Sequence, residues 1–116
     1  MSTKVFPSCP IRTTLELLGG KWRLLLIDAL REGPLRFGEI KAQLPSLSEK
    51  VLAQELAIMA ENHLIVRRQY EEHPPRVEYA LTDWGREALP LLGAMREFGL
   101  AYQSDLFQRD EAQKRP

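Results

Sequence analysis

A mainly helical α+β fold is predicted by three features of this chain. Four short stretches of helical periodicity occupy residues 10–62, the period changes from 3.6 to 2 over residues 64–81, and a long helical stretch follows. At 116 residues the chain has the length of one domain with a single core, and we read residues 1–116 as that domain.

Each element has its own signal. Pro10 to Leu18 places Ile11, Leu15 and Leu18 on one helical face, and Gly19-Gly20 suits a left-handed cap. Trp22 to Arg31 is the second helix, burying Trp22, Leu26, Ala29 and Leu30, closed by Gly33-Pro34. The third spans about Phe37 to Leu44, with Phe37, Ile40 and Leu44 inward, and Pro45 stops it. Ser48 is a good N-cap for a fourth helix, Glu49 to about Asn62, with a buried stripe of Leu52, Leu56 and Met59.

Leu64–Tyr70 and Val77–Leu81 then read as strands. Pro74 and Pro75 belong in the hairpin tip, because they donate no ladder hydrogen bonds. Thr82 caps a final helix expected from Asp83 to about Phe107, bent at Pro90, with a frayed tail from Asp110 to Pro116. Two helices joined by a short turn (residues 37–62) and followed by a hairpin (64–81) form the winged helix-turn-helix plan.

Composition narrows the function only a little. The chain is 44% hydrophobic and 28% charged, and apolar runs such as Leu24–Ile27 are far too short for a bilayer. Met1-Ser2-Thr3-Lys4 carries no apolar signal and Cys9 stands alone, so a cytoplasmic protein without an intrachain disulfide is expected. The formal net charge is zero, and residues 1–82 hold 11 Lys/Arg against 10 Asp/Glu. A nucleic-acid surface must therefore come from sorting charge in three dimensions.

Such a surface has candidates. Leu44, Leu47 and Leu52 clasp the turn, which leaves Ser46, Ser48, Glu49, Lys50, Ala53 and Gln54 on the leading end of the fourth helix. Lys50 suits guanine O6/N7 or a phosphate, Gln54 suits adenine N6/N7, and Glu49 suits cytosine N4. Ser48 and Glu49 are equally explained by capping and the helix dipole. Arg76, beside the prolines, fits a narrow minor groove or an ion pair with Glu72 or Glu78. Arg67 and Arg68 point to opposite faces, so one of them, for which we take Arg68, meets phosphates. Arg36 is a further phosphate contact, and Lys21 a weaker one.

The chain resembles the HxlR-type winged-helix transcriptional regulators. The matching stretches are Cys9-Pro10, Gly19-Gly20-Lys21-Trp22, Gly33-Pro34-Leu35-Arg36-Phe37 and Ser48-Glu49-Lys50-Val51-Leu52, then Pro74 to Tyr79 and Leu81 to Gly85. They cover about residues 9–107 in family order. The resemblance implies a homodimer formed by the first and last helices, with one recognition helix per half-site of a palindromic double-stranded operator. Interface positions are Ile11 and Leu15 on the first helix and Leu92, Met95, Phe98, Gly99, Tyr102 and Leu106 on the last. The last helix supports this independently, because Ala88, Leu92, Met95, Gly99, Tyr102 and Leu106 alternate at spacings of four and three. Ala57, Ile58, Ala60 and Asn62-His63 depart from the family pattern, which has an arginine at 57, acidic residues at 58 and 60, and Asp-Gly at 62–63. The φ > 0 residue that glycine would supply there must be His63 or Asn62.

Cys9 matches a cysteine that in similar family members senses oxidants, quinones or aldehydes. It precedes Pro10 at a helix start, where the dipole favours thiolate, with Arg12 nearby. The other reading of Cys9 is a small packing residue at the dimer interface. An enzyme is not expected: no spacing links Cys9, His63 and His73, and no metal-ligand cluster, cofactor motif or complete phosphate loop is present. A winged-helix module that binds protein instead of DNA remains as the alternative class.

Overall fold

In a computed structural model, residues 9–114 are described. The expectations for residues 1–4 and for the last two residues of the tail lie outside them. The elements are α1 (Pro10–Leu18), α2 (Arg23–Ala29), α3 (Phe37–Gln43), α4 (Glu49–Glu61), β1 (Ile65–Tyr70), β2 (Arg76–Leu81), α5 (Asp83–Glu87) and α6 (Leu89–Gln113). This is a winged helix-turn-helix with a long C-terminal helix.

Proline opens α1 because its missing N–H is not needed in the first turn. At the other end, Gly19 is extended (φ −69°, ψ 173°), and the left-handed residue is Gly20 (φ 95°). Gly19 is thus required for another reason than the expected cap: a Cβ there would collide with the Leu15 carbonyl, to which its own N–H donates (2.7 Å). The second helix is shorter than Trp22–Arg31. Trp22 is its N-cap and residues 30–32 form a turn, so Trp22 and Ala29 are only partly buried while Ile27 joins Leu26 and Leu30 in the core.

Between α2 and α3, Leu35 bridges Tyr79 with two backbone hydrogen bonds (3.0 and 2.8 Å) and adds a short third edge to the hairpin. Ser48 Oγ accepts from the Val51 N–H (3.2 Å) and starts α4, whose buried residues are Leu52, Leu56 and Met59. The helix ends in a Schellman motif. The Leu64 N–H donates to Met59 (2.9 Å) and the His63 N–H to Ala60 (3.1 Å), with His63 at φ 62° in the position glycine usually takes. Asn62 stays at φ −91°, so His63 carries the positive angle.

The strands pair antiparallel from Ile65↔Leu81 to Tyr70↔Arg76, which puts Arg76 in the ladder instead of the loop. Thr82 caps α5 by accepting from the Gly85 N–H (3.1 Å). The expected single bent helix is two helices, because the chain breaks at Ala88 and Pro90 sits in the first turn of α6. Inside a longer helix that ring would clash with a carbonyl one turn back; at a helix start it does not. The helix then runs past Phe107 to Gln113, through most of the tail expected to fray, with Arg109–Asp105 (2.8 Å) and Lys114–Asp110 (3.1 Å) pairs one turn apart.

One core joins these elements. Leu26, Ile27, Leu30, Ile40, Leu47, Leu52, Leu56 and Met59 are fully buried, and Leu64, Ile65, Leu81 and Ala88 extend it under the hairpin. Helix α6 reaches this core through Leu89 and Leu92 but has no buried residue of its own. It projects outward and stretches the molecule to 66 × 37 × 26 Å. No helix among the described residues is long and apolar enough to cross a membrane.

Candidate nucleic-acid interface

The turn before α4 is fixed from both sides. Leu47 is 1% exposed and anchors it from within, while the Lys41 ammonium donates to the Pro45 carbonyl (2.9 Å) from outside. With Leu52, Leu56 and Met59 holding the opposite face, Ser46, Ser48, Glu49, Lys50, Ala53 and Gln54 are all exposed on one end of α4. The expected recognition residues are therefore brought together. Arg36 is exposed as the N-cap of α3, where its backbone N–H donates to Glu39 Oε1 (2.8 Å).

The wing is less open. Arg67 and Arg68 are exposed, Arg67 facing Gln69 Oε1 (3.4 Å) and Arg68 lying opposite Glu78 in the ladder. Arg76 is held within the hairpin. Its guanidinium lies 4.3 Å from the Tyr70 ring centroid, its Nη2 is 3.4 Å from Glu72, and its Nε is 3.9 Å from Glu78. The Arg76 side chain is only 30% exposed. The two readings of this residue thus meet: the carboxylates hold it in the free protein, and a groove would have to draw it away from them.

A half-buried ion pair escaped the sequence reading. Arg23 Nε donates to Glu55 Oε2 (2.9 Å) on α4, and its Nη1 donates to the carbonyls of Glu16 (3.0 Å) and Leu17 (3.1 Å) in the last turn of α1. No spacing rule reveals a pair separated by 32 positions.

Away from this surface, α1 and α6 expose apolar side chains. Ile11 and Leu15 face outward from α1, and Met95, Phe98, Tyr102 and Leu106 from α6, with Phe98 72% exposed. The Phe98 and Tyr102 rings stack at 6.1 Å. Leu92 differs from these, since it is partly buried against its own core, and Gly99 is half-buried. Leu100 and Phe107, which the seam pattern did not include, are exposed as well.

Cys9 is the exposed N-cap of α1. Its thiol is held below the ordinary value, chiefly by the backbone N–H of Arg12, then by that of Ile11, with slight desolvation opposing. The cause is the start of the helix itself; the Arg12 guanidinium is not among the causes.

Residues 17–107 match the profile of the HxlR-like helix-turn-helix family. The chain belongs to this family. Among its relatives is the HTH-type transcriptional regulator YdeP of Bacillus subtilis (strain 168), 34% identical over 97% of this chain and 88% of the relative. The reduced form of the redox regulator HypR superposes with a TM-score of 0.79 at 32% identity, covering 85% of this chain and 98% of that one. The reduced transcriptional regulator YodB from B. subtilis gives 0.72 at 33% identity, over 79% and 91%. The HxlR-like family is one of DNA-binding transcriptional regulators, not of enzymes.

The departures from the HxlR-like pattern fall on two sides of α4. Ala57 is exposed and presents only a methyl group in the middle of the helix. Ile58 and Ala60 are half-buried, Ala60 against the core, so acidic residues would be desolvated there.

Proposed function

We propose that this HxlR-like protein regulates transcription as a homodimer that binds a palindromic double-stranded operator sequence-specifically. The observation that carries the proposal is the polar, exposed leading end of α4, held rigid by a wholly buried Leu52-Leu56-Met59 stripe. A major groove admits a helix presented in this way. Lys50, Gln54 and Glu49 face the bases, Ser46, Ser48 and Ala53 complete that end, Arg36 and Arg68 meet phosphates, and Arg76 approaches the minor groove from the wing. The second copy covers the apolar faces of α1 and α6 and places two recognition helices about 34 Å apart, one turn of DNA.

Cys9 is the signal input in this reading. Its thiolate adds to an electrophile such as a quinone: the sulfur–carbon bond forms, the ring's electron pair moves to oxygen, and water protonates it. The supports are its exposure, its lowered pKa and the similarity to HypR and YodB, which are described in reduced and in oxidised or diamide-treated forms. The protein works on the nucleoid in the cytoplasm under this proposal.

The test is fluorescence anisotropy with random-sequence duplex across a salt series. A regulator of this kind binds at low salt and loses affinity steeply as salt rises. A protein-binding module, which the zero net charge also suits, shows no binding at any salt. Replacing Cys9→Ser should abolish any response of DNA binding to benzoquinone, and a variant that still responds removes Cys9 from the mechanism.

A further inference from the structure

We infer that Arg23 is a positioning residue that ties the recognition helix to α1, so that the geometry of the dimer arm sets where the two α4 helices stand. The inference rests on the homodimer proposed above. It begins from how lightly α1 is held. Only Leu17 and Leu18 at its C-terminal end reach the core, Ile11 and Leu15 point away, and Gly20 (φ 95°) lies in the connection to α2. Apolar contacts of this kind are non-directional and by themselves leave the tilt of α1 free.

Arg23 removes that freedom. Its Nη1 takes the Glu16 and Leu17 carbonyls, which are among the four left without partners at the end of α1. Its Nε takes Glu55 of α4, and both side chains are mostly withdrawn from water (17% and 18% exposed). The guanidinium is a flat, rigid fork, so bonds to one helix end and to a carboxylate on another helix fix distance and direction together. A positive group at the negative end of the α1 dipole adds to the attraction. Helix α4 is therefore joined to the arm by a directional contact placed in the middle of the recognition helix. A tilt of α1 in the dimer carries through Arg23 and Glu55 to both reading heads, whose separation must match one turn of DNA.

The test labels the exposed position 57 of α4. A Cys9→Ser/Ala57→Cys protein carrying a nitroxide reports the distance between the two α4 helices by pulsed electron paramagnetic resonance. The parent protein should give one dominant inter-label distance. Glu55→Gln, which keeps the size and loses the charge, should broaden or shift that distance. It should also lower affinity for duplex enriched from a random library by about tenfold, the size of one half-withdrawn charge-assisted bond. Arg23→Lys, which keeps the charge but not the fork, should fall between.

Thermal melts at equal concentration separate positioning from stability, because a merely stabilising pair lowers the melting temperature and leaves the distance unchanged. Superimposable distances in all three proteins overturn the inference while the dimer stands. Absence of any dipolar signal in the parent overturns the dimer reading itself, and the inference with it.

Discussion

The two halves of this molecule use the same residue types to opposite ends. From α2 through the hairpin, most leucines and isoleucines are driven into one core, Leu25 being the exposed exception, and Leu56 is 1% exposed. Along α1 and α6 most apolar side chains past the ends that meet the core face outward, and Phe98 stands 72% exposed on a 25-residue helix that buries none of its residues. The first half holds its shape within one chain; under the proposed dimer, the second is completed by another copy. Folding and assembly are thereby separated, and substitutions should separate them too. Leu56→Ala should cost about 2–5 kcal/mol of folding stability, the range for emptying a packed leucine site, at every protein concentration in urea melts. Phe98→Ala should leave the protomer's helical content intact and weaken the dimer about 30-fold, as for a central aromatic at an interface, read by sedimentation equilibrium. Equal effects of the two on dimerisation would break the comparison.

The half proposed to face DNA contains a smaller contrast of the same kind. The leading end of α4 is open, whereas the wing arginine is occupied by Tyr70, Glu72 and Glu78. Arg76→Ala should weaken duplex binding about fivefold without altering the dimer, since one charge contact near a surface is worth about 1 kcal/mol. Glu72→Gln should do the reverse, tightening binding about twofold to threefold, because the exposed pair it removes competes with phosphate. Gel shifts of the double variant sharpen the point. If the gain from Glu72→Gln survives in the Arg76→Ala background, the carboxylate acts by general repulsion and not by holding Arg76.

These contrasts mark where the sequence is legible. The stripe Leu52-Leu56-Met59 and the Ser48 cap follow from local periodicity and hydrogen-bond chemistry and stand at the expected residues, whereas the hairpin is shifted by a residue, with β1 starting at Ile65 and Arg76 drawn into β2. The exposed end of α4 follows from the same stripe. Local rules stop where two remote segments meet. The Arg23–Glu55 pair, the Leu35–Tyr79 bridge and the Arg76 cage each need partners whose juxtaposition only the folded chain fixes. Pro90 shows a subtler limit. Its chemistry permits either a kink or a fresh helix start, and the break at Ala88 resolves which. The Gly19-Gly20 pair is legible in part: Gly20 takes the left-handed angle that the pair suits, while crowding against the Leu15 carbonyl, which only the folded chain creates, demands glycine at 19.

Cys9 lies at the open end of the arm, and its chemistry separates a helix-start thiol from an ordinary one. The backbone N–H groups of Arg12 and Ile11 favour the thiolate in the folded chain. Unfolding removes them, so the rate of alkylation by iodoacetamide should rise with pH along a curve displaced to lower pH in the native protein relative to the protein in urea. The linked sign is fixed. A depressed thiol pKa favours the fold above the unfolded value, and that contribution disappears as pH falls through the native value. Coincident rate profiles would remove the helix start as the cause of reactivity.

A further small effect concerns the end of α4, which carries strain that the family pattern avoids. His63 sits at φ 62° to close the Schellman motif, and its N–H and that of Leu64 satisfy the last carbonyls of α4. A side chain bearing Cβ costs about 1–2 kcal/mol in that region, while glycine gives back part of the difference through greater freedom in the unfolded chain. His63→Gly should therefore stabilise the protein by about 0.5–1 kcal/mol, seen as a higher urea midpoint with an unchanged slope. Asn62→Gly, one residue earlier at φ −91°, relieves no such strain and gives up the Asn62 Nδ2 bond to the Ile58 carbonyl (3.0 Å). It should lower the midpoint. Opposite signs at adjacent positions locate the strain at His63, because a general preference for glycine at the helix end would move both the same way.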